Sequence, residues 1–301
     1  MRYGLMVGEG SGDLDAIAAE IGRAEEQGMA SCWMSQVFGY DAIVALSVSG
    51  RGARRIELGT AVVPTFPRHP LVMASQALTA QAALGQRFVL GVGLSHQVVV
   101  EQMLGLGFER PAEHMEEYLV VLGALVREGS VSFQGRRIAC QASLQVPGSS
   151  PCPILVAALG PRMLGLAGRL ADGTITWMTG PRTVADHIVP GIGRAASAAG
   201  RPSPRVVVGI PVCVTSDPEA ARQRAASVFS FYGQLPSYRA MLDREGVASP
   251  ADVAVVGDEE AVAAQLARFA EGGASDLAAA VFARGEERKR TLELLSSLAR
   301  T

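Results

Sequence analysis

The feature that most constrains the fold of this chain is a regular alternation of short apolar runs with segments of helical spacing. Eight apolar runs of strand length occur, and each precedes a helical pattern. The runs are almost continuously apolar, as expected for strands buried on both faces. The alternation predicts a (β/α)8 TIM barrel. The predicted strands are 2–7, 31–34, 56–63, 88–92, 154–157, one ending at Trp177, 206–214 and 277–282.

Helical spacing and turn residues place the helices between these strands. The predicted helices are 14–27, 41–48, 70–84, 112–126, 161–170, 183–199, a region from 218 broken near 236 and around 246–250, 259–271 and 286–298. The alternation pauses between the fourth and fifth strands. There, Gln134-Gly135 separates two β-prone segments, so residues 131–144 predict an inserted hairpin or lid. No linker-like stretch divides the chain, which predicts one domain over residues 1–301.

Composition excludes several classes of partner. The 301 residues, 49% of them hydrophobic, suffice for a large core, and a formal net charge of -2 provides no electrostatic footprint for nucleic acid. No uninterrupted apolar run of about 18 residues predicts a membrane span. The chain opens on a strand-like segment rather than a signal peptide, so we expect a cytoplasmic protein. Cys32, Cys140, Cys152 and Cys213 lack paired spacing and predict buried, reduced thiols without a metal site.

One loop has the local chemistry of a phosphate site. The strand at 154–157 leads into Leu159-Gly160-Pro161, and a helix begins at once. Proline in a first helical turn loses no useful amide, and the preceding glycine permits close approach of a ligand to the backbone. The helix amides and dipole would then favour an anion, with Arg162 adding charge. An ordinary strand–helix–strand unit without a ligand remains the alternative.

The strand ends supply little acid–base chemistry. They are Gly8, Ser35-Gln36, Ala61-Val62-Val63-Pro64, Gly93-Leu94-Ser95-His96, Ala158-Leu159-Gly160 and Thr176-Trp177. Carboxylate pairs, metal-ligand clusters and nucleophile triads are absent from these segments, so hydrolysis lacks its parts. Small, apolar, backbone-rich strand ends suit a flat cofactor that performs the chemistry itself. His96 is the candidate proton donor or acceptor, although it could instead bond a cofactor or cap a helix. Trp177 is a candidate pocket wall.

Four segments in order resemble the luciferase-like monooxygenase superfamily, and within it the branch of coenzyme F-420-dependent oxidoreductases. They are LGTAVVPTFPRHPLVMASQALT (58–79), RFVLGVGLSH (87–96), ERPAEHMEEYL (109–119) and LGPRMLGLAGRLADGTITWMTGPR (159–182). The resemblance implies a homodimer of TIM barrels with a non-proline cis peptide at Ala61-Val62, pressed against the middle ring of a deazaflavin. It places the cofactor phosphate at Leu159, Gly160, Pro161, Arg162 and Met163. The remaining implied cofactor contacts are Gly8, Ser35, Gln36, Gly93, Leu94, Ser95, His96, Thr176 and Trp177.

The resemblance also implies a reaction, namely hydride transfer between F-420 and a small enone, imine, carbonyl or alcohol. Sugar-phosphate dehydrogenases of the family carry Asp-His where Ser35-Gln36 stands, and their substrate-phosphate lysine has no match because Lys289 is the one lysine here. A sugar phosphate is therefore not expected. The aromatic residues within 229–238 fit an apolar or aromatic substrate; alternatively, they close the barrel or form a dimer contact. An FMN-dependent monooxygenase and a non-catalytic cofactor-binding relative are the alternatives.

Overall fold

A closed barrel of parallel strands forms the centre of the computed structural model, which describes residues 1–8 and 12–300. Each strand pairs with the next along the chain, and the last pairs with the first through registers such as Arg2 with Asp276. The predicted (β/α)8 TIM barrel is therefore confirmed. Its strands are β1 (Arg2–Met6), β2 (Ser31–Met34), β3 (Glu57–Thr60), β4 (Phe88–Gly93), β5 (Ile154–Ala157), β6 (Gly173–Trp177), β7 (Arg205–Val214) and β8 (Asp276–Val281).

Helices surround the barrel and begin at residues suited to that position. Aspartates accept hydrogen bonds from first-turn amides at several starts, and proline occupies the first turn at others. The helices are α1 (Leu14–Glu26), α2 (Ala42–Ser49), α3 (Pro70–Ala83), α4 (Pro111–Arg127), α5 (Pro161–Leu170), α6 (Pro181–Thr183), α7 (Val189–Ala198), α8 (Pro218–Phe229), α9 (Pro236–Glu245), α10 (Pro250–Val253), α11 (Glu259–Glu271) and α12 (Gly285–Ala299). Short 3₁₀ turns lie at Gly50–Gly52 and Ser230–Gln234, and π turns at Val99–Met103 and Val184–Ile188.

The third predicted strand, 56–63, proves to be interrupted. β3 ends at Thr60, the Ala61-Val62 peptide is cis, and pairing with β4 resumes only at Val63–Pro64. The cis peptide implied by the family resemblance is thus confirmed. At the interruption, β3 packs closely on β4. The Thr60 carbonyl oxygen lies 2.0 Å from the position that a Cβ at Gly91 would take, so this position must be glycine. The backbone there bulges toward β4, and periodicity alone cannot register such a bulge.

Most of the remaining element predictions are confirmed. Ser130–Gln134 and Ala139–Ser143 form the inserted antiparallel hairpin. Sequence analysis missed the strand Val255–Gly257, which pairs with β7, because three residues are too few for a periodic signal. All four cysteines are buried and free, as predicted. Along the described chain, no helix combines the length and the apolar character needed to cross a bilayer.

The barrel interior is filled from its amino-terminal end. Arg205 at the start of β7 pairs with Glu57 (2.8 Å) and with Asp276 (2.6 Å), so charges are neutralised in the lowest layer. Above them the Trp33 indole crosses the barrel where Gly59 leaves room, and its Nε1 donates to Ser31 Oγ at 2.8 Å. The same layer contains Val89, Leu155, Ile175, Val207 and Ala278. The barrel is thus filled at its amino-terminal end, and the carboxyl-terminal mouth is the end where a ligand would enter.

Candidate active site

Backbone and small side chains form one wall of the mouth, because Val62 lies over glycine. An ideal Cβ at Gly93 would lie 2.6 Å from Val62 Cγ2 and 3.2 Å from Ala157 Cβ, and one at Gly91 would lie 3.1 Å from Val62 Cγ1. Glycines at both positions allow the cis-linked Val62 to pack down on β4. The half-buried Ala61 and Val62 then present a small apolar surface at the end of the barrel. Such a surface accepts a flat ring rather than a charged group.

The N-terminus of α5 provides a second component, a set of amides without a side-chain cap. Gly160 precedes the helix, and among residues 1–8 and 12–300 nothing lies within 4 Å of the position its Cβ would take and no side chain caps the first turn. By contrast, α6 begins under the Glu245 carboxylate, which accepts from Thr183 N at 2.7 Å. His187 Nε2 contacts the Leu159 carbonyl oxygen at 2.7 Å and fixes the loop. With Arg162 exposed beside it, this helix start is open to an anion.

Trp177 connects the mouth to an aromatic wall. Its ring packs edge-on against Phe229 (centroids 6.0 Å apart) and Tyr232 (5.9 Å). Tyr232 in turn packs on Tyr238 at 5.1 Å. The indole Nε1 of Trp177 is buried and has no hydrogen-bond partner among the described residues. A buried donor of this kind is costly unless something accepts from it, so it marks a place where a ligand oxygen or nitrogen fits.

His96 lies at the other end of this wall. Its ring centroid is 6.0 Å from that of Tyr238, and the side chain is half-buried. Burial lowers the pKa of His96 from its ordinary value of 6.5, and burial raises the pKa of Tyr238. The imidazole is consequently neutral at neutral pH and suited to accept a proton. Ser95 before it has a positive φ of 64°, which turns the chain away from β4.

The residues after β1 and β2 complete the rim. Gly8 has φ of +88°, and a Cβ there would lie 2.9 Å from Met34 Cε, so the turn requires glycine. Gln36 accepts from Ala42 N at 3.2 Å and from Arg68 Nη2 at 3.3 Å. Arg68 also pairs with Asp41. Sequence analysis missed Arg68 and Asp41, since neither belongs to a recognisable pattern of spacing.

The structure thus brings most of the predicted residues to the carboxyl ends of the strands. Thr176 differs, because side chains alternate along a strand and its neighbour Ile175 belongs to the barrel interior. The Thr176 hydroxyl is therefore on the helix-facing side, buried and without a partner in the described residues. His69 accepts from Leu71 N at the start of α3, the structural cap that its position suggests.

A separate cleft of about 600 Å³ lies beside α4 and the inserted hairpin, and sequence analysis did not anticipate it. It is lined by Phe66, Leu106, Gly107, Glu109, Arg110, Glu113, His114, Arg136 and Arg137. The His114 ring stacks on Phe66 with centroids 4.2 Å apart, and its Nε2 contacts Thr65 Oγ1 at 3.1 Å. Burial, followed by the charge of Arg137, lowers the pKa of His114 to about 4.

The site lies in the mouth of a parallel barrel and is built largely from backbone, glycine and aromatic groups. These features define a TIM-barrel enzyme of the cofactor-binding type. The family model described as luciferase-like monooxygenase matches residues 1–276, and the chain belongs to that family.

Individual relatives are more distant. A 5,10-methylenetetrahydromethanopterin reductase of Methanolobus tindarius is 28% identical over 234 residues, covering 76% of this chain and 71% of the relative. The solved structure of the coenzyme F420-dependent tetrahydromethanopterin reductase of Methanopyrus kandleri superposes with a TM-score of 0.83 at 20% identity, covering 98% of this chain and 97% of that one. The FMN complex of the oxygenating constituent of 3,6-diketocamphane monooxygenase from Pseudomonas putida gives a TM-score of 0.76 at 15% identity, covering 98% and 96%.

Proposed function

We propose that this protein is a coenzyme F-420-dependent oxidoreductase that acts in the cytoplasm on a small enone, imine, carbonyl or alcohol. The observation that carries the proposal is the α5 N-terminus, which is led by Gly160 and has no side-chain cap. A phosphorylated cofactor needs such an anion site, and the aspartate-capped starts of α1, α2 and α11 do not offer one. The names of two relatives, a putative coenzyme F420-dependent oxidoreductase of Mycobacterium tuberculosis and an F420-dependent glucose-6-phosphate dehydrogenase of Kineococcus radiotolerans, support F-420 as that cofactor.

The residues at the mouth fit a phosphorylated ring cofactor. First-turn amides of α5 and the exposed Arg162 would hold the phosphate, while Val62 would support one face of the ring. The unpaired Trp177 Nε1 would donate to an acceptor on the ligand. When bound, the deazaflavin supplies the hydride-accepting or hydride-donating carbon. The protein's own contribution is to orient the ring and the substrate, which lowers the entropic part of the barrier.

His96 is proposed to move the proton. Since its pKa lies below 6.5, the neutral imidazole accepts the hydroxyl proton of an alcohol as hydride leaves the carbinol carbon. In the reverse direction the protonated imidazole returns that proton to the oxygen. The aromatic wall of Trp177, Tyr232 and Tyr238 excludes water from the same region and favours an apolar or aromatic substrate.

The deciding experiment is calorimetric titration of the purified protein with oxidised F-420 and with FMN. Micromolar or tighter binding of F-420, weakened when Arg162 is replaced by glutamate, is the expected result. Preference for FMN would instead support an FMN-dependent monooxygenase, which consumes oxygen with reduced flavin. Binding of F-420 without turnover of an enone, imine and alcohol panel would indicate a non-catalytic relative. Binding of neither compound would refute the cofactor assignment.

A second copy of this chain is proposed to cover an apolar stripe on α2 and α3. Val44 and Val48, one helical turn apart on α2, are 54% and 55% exposed, and Val72 on the adjacent α3 is 49% exposed. Three half-exposed valines on two neighbouring helices are typical of a surface that another molecule covers. Light scattering after size exclusion should give a dimer, and Val48→Glu should give a monomer. A wild-type monomer would refute this assembly.

A further inference from the structure

Gln36 has an amide whose orientation the surrounding chemistry fixes. Its Oε1 accepts from the backbone N–H of Ala42 at 3.2 Å and from Arg68 Nη2 at 3.3 Å. A backbone amide and a guanidinium can only donate, so the atom that faces them must be the oxygen. The amide nitrogen, with its two N–H groups, is therefore directed away from α2 and Arg68. No protein acceptor for it is found within residues 1–8 and 12–300.

Arg68 is itself held rigidly. Its Nη2 pairs with Asp41 Oδ2, and Asp41 Oδ1 accepts from Ile43 N (3.0 Å) and Val44 N (3.1 Å) at the start of α2. The Arg68 carbonyl oxygen accepts from Tyr118 Oη at 3.0 Å. Its side chain is only 13% exposed. The guanidinium therefore bridges the segments after β2 and β3 from a fixed position: its Nη2 contacts Gln36 and Asp41, and its Nη1 is buried without a partner among the described residues.

We propose that Arg68 is a positioning residue: it locks the Gln36 amide so that Nε2 donates to a ring carbonyl oxygen of the cofactor bound in the mouth. The inference rests on the proposed function. Gln36 follows β2 directly, so it lies at the same end of the barrel as Val62 and Trp177. Deazaflavin and flavin rings both carry carbonyl oxygens that can accept such a bond. Without Arg68, the Ala42 N–H alone would hold Oε1, so a half-turn of the amide, which opposes an acceptor with an oxygen, would become easier.

A double-mutant cycle tests this coupling through cofactor affinity alone. The dissociation constant of oxidised F-420, and of FMN, is measured by calorimetry for the wild type, Gln36→Met, Arg68→Met and the double variant. Each single substitution should weaken binding about tenfold, as expected for loss of one buried hydrogen bond. The double variant should bind no more weakly than Gln36→Met, because Arg68 has no effect once the amide is gone.

The Gln36→Glu variant separates loss of the N–H donors from misfolding. The carboxylate keeps an oxygen for Ala42 N and Arg68 Nη2 but replaces the two N–H donors with an acceptor. It should fold like the wild type and bind the cofactor at least as weakly as Gln36→Met at pH 7. Gln265→Met and Arg290→Met are matched controls, because Gln265 donates to Val256 and Ala261 carbonyls and Arg290 pairs with Glu259. Neither control should change affinity.

The outcomes separate this inference from the proposed function. Wild-type protein that binds neither compound refutes the proposed function and this inference with it. Wild-type protein that binds, together with Gln36→Met and Gln36→Glu variants of unchanged affinity, refutes the donor role of Gln36 alone. Losses from Gln36→Met and Arg68→Met that simply add in the double variant refute the positioning role of Arg68. Circular dichroism melting of every variant establishes that the compared proteins are folded.

Discussion

Gly93→Ala tests the packing on which the mouth is built. The added methyl would lie 2.6 Å from Val62 Cγ2 and 3.2 Å from Ala157 Cβ, both closer than ordinary contact. Val62 also lies over Gly91, so it can yield only by moving up and into the mouth. Overpacking of this kind costs about 1–3 kcal/mol. For a chain of this length the midpoint of thermal unfolding should fall by about 2–5 °C.

The assay pairs circular dichroism melting with calorimetric cofactor titration, because a displaced Val62 should also weaken cofactor binding several-fold. Gly193→Ala is the matched control: nothing lies within 4 Å of its Cβ position on α7, so alanine should stabilise the fold by about 0.5–1 kcal/mol. A Gly93→Ala protein with wild-type stability and affinity would refute the idea that Val62 rests on glycine.

Three further predictions follow from buried donors and histidines. If His96 accepts the proton, the rate of alcohol oxidation should rise with pH through a pKa below 6.5 and then level off, and His96→Ala should lose this step; steady-state rates from pH 5 to 8 measure it. Ser31→Ala should cost about 1–3 kcal/mol in urea unfolding, since Trp33 Nε1 loses its acceptor inside the barrel. The pKa of His114 is about 4 when folded and near 6.5 when unfolded, so the unfolded state binds more protons between these values. Stability should therefore fall as pH drops from about 6.5 to about 4, and His114→Gln should flatten the melting temperature across that range.

The sequence predicts elements well where the signal is local and repeated. The apolar runs that become β7 and β8 and the break at Pro236 are read from neighbouring residues, and the structure confirms them. Contacts between loops carry no such signal. Arg68 and Gln36 are 32 residues apart in the chain, and only closure of the barrel brings their side chains together. The direction in which the Gln36 amide faces depends on that contact, so no pattern of spacing can predict it.

Contacts between distant segments also separate two partly buried histidines. Both His96 and His114 are partly buried, and burial lowers the pKa of each. His114 is stacked on Phe66 at 4.2 Å and bonded to Thr65 at 3.1 Å, so its ring is fixed within the protein. His96 has no side-chain hydrogen bond to any residue the structure describes, and its ring faces Tyr238 at the mouth. A group that exchanges protons with a ligand needs a free nitrogen and access to the mouth, and of these two histidines His96 alone has both.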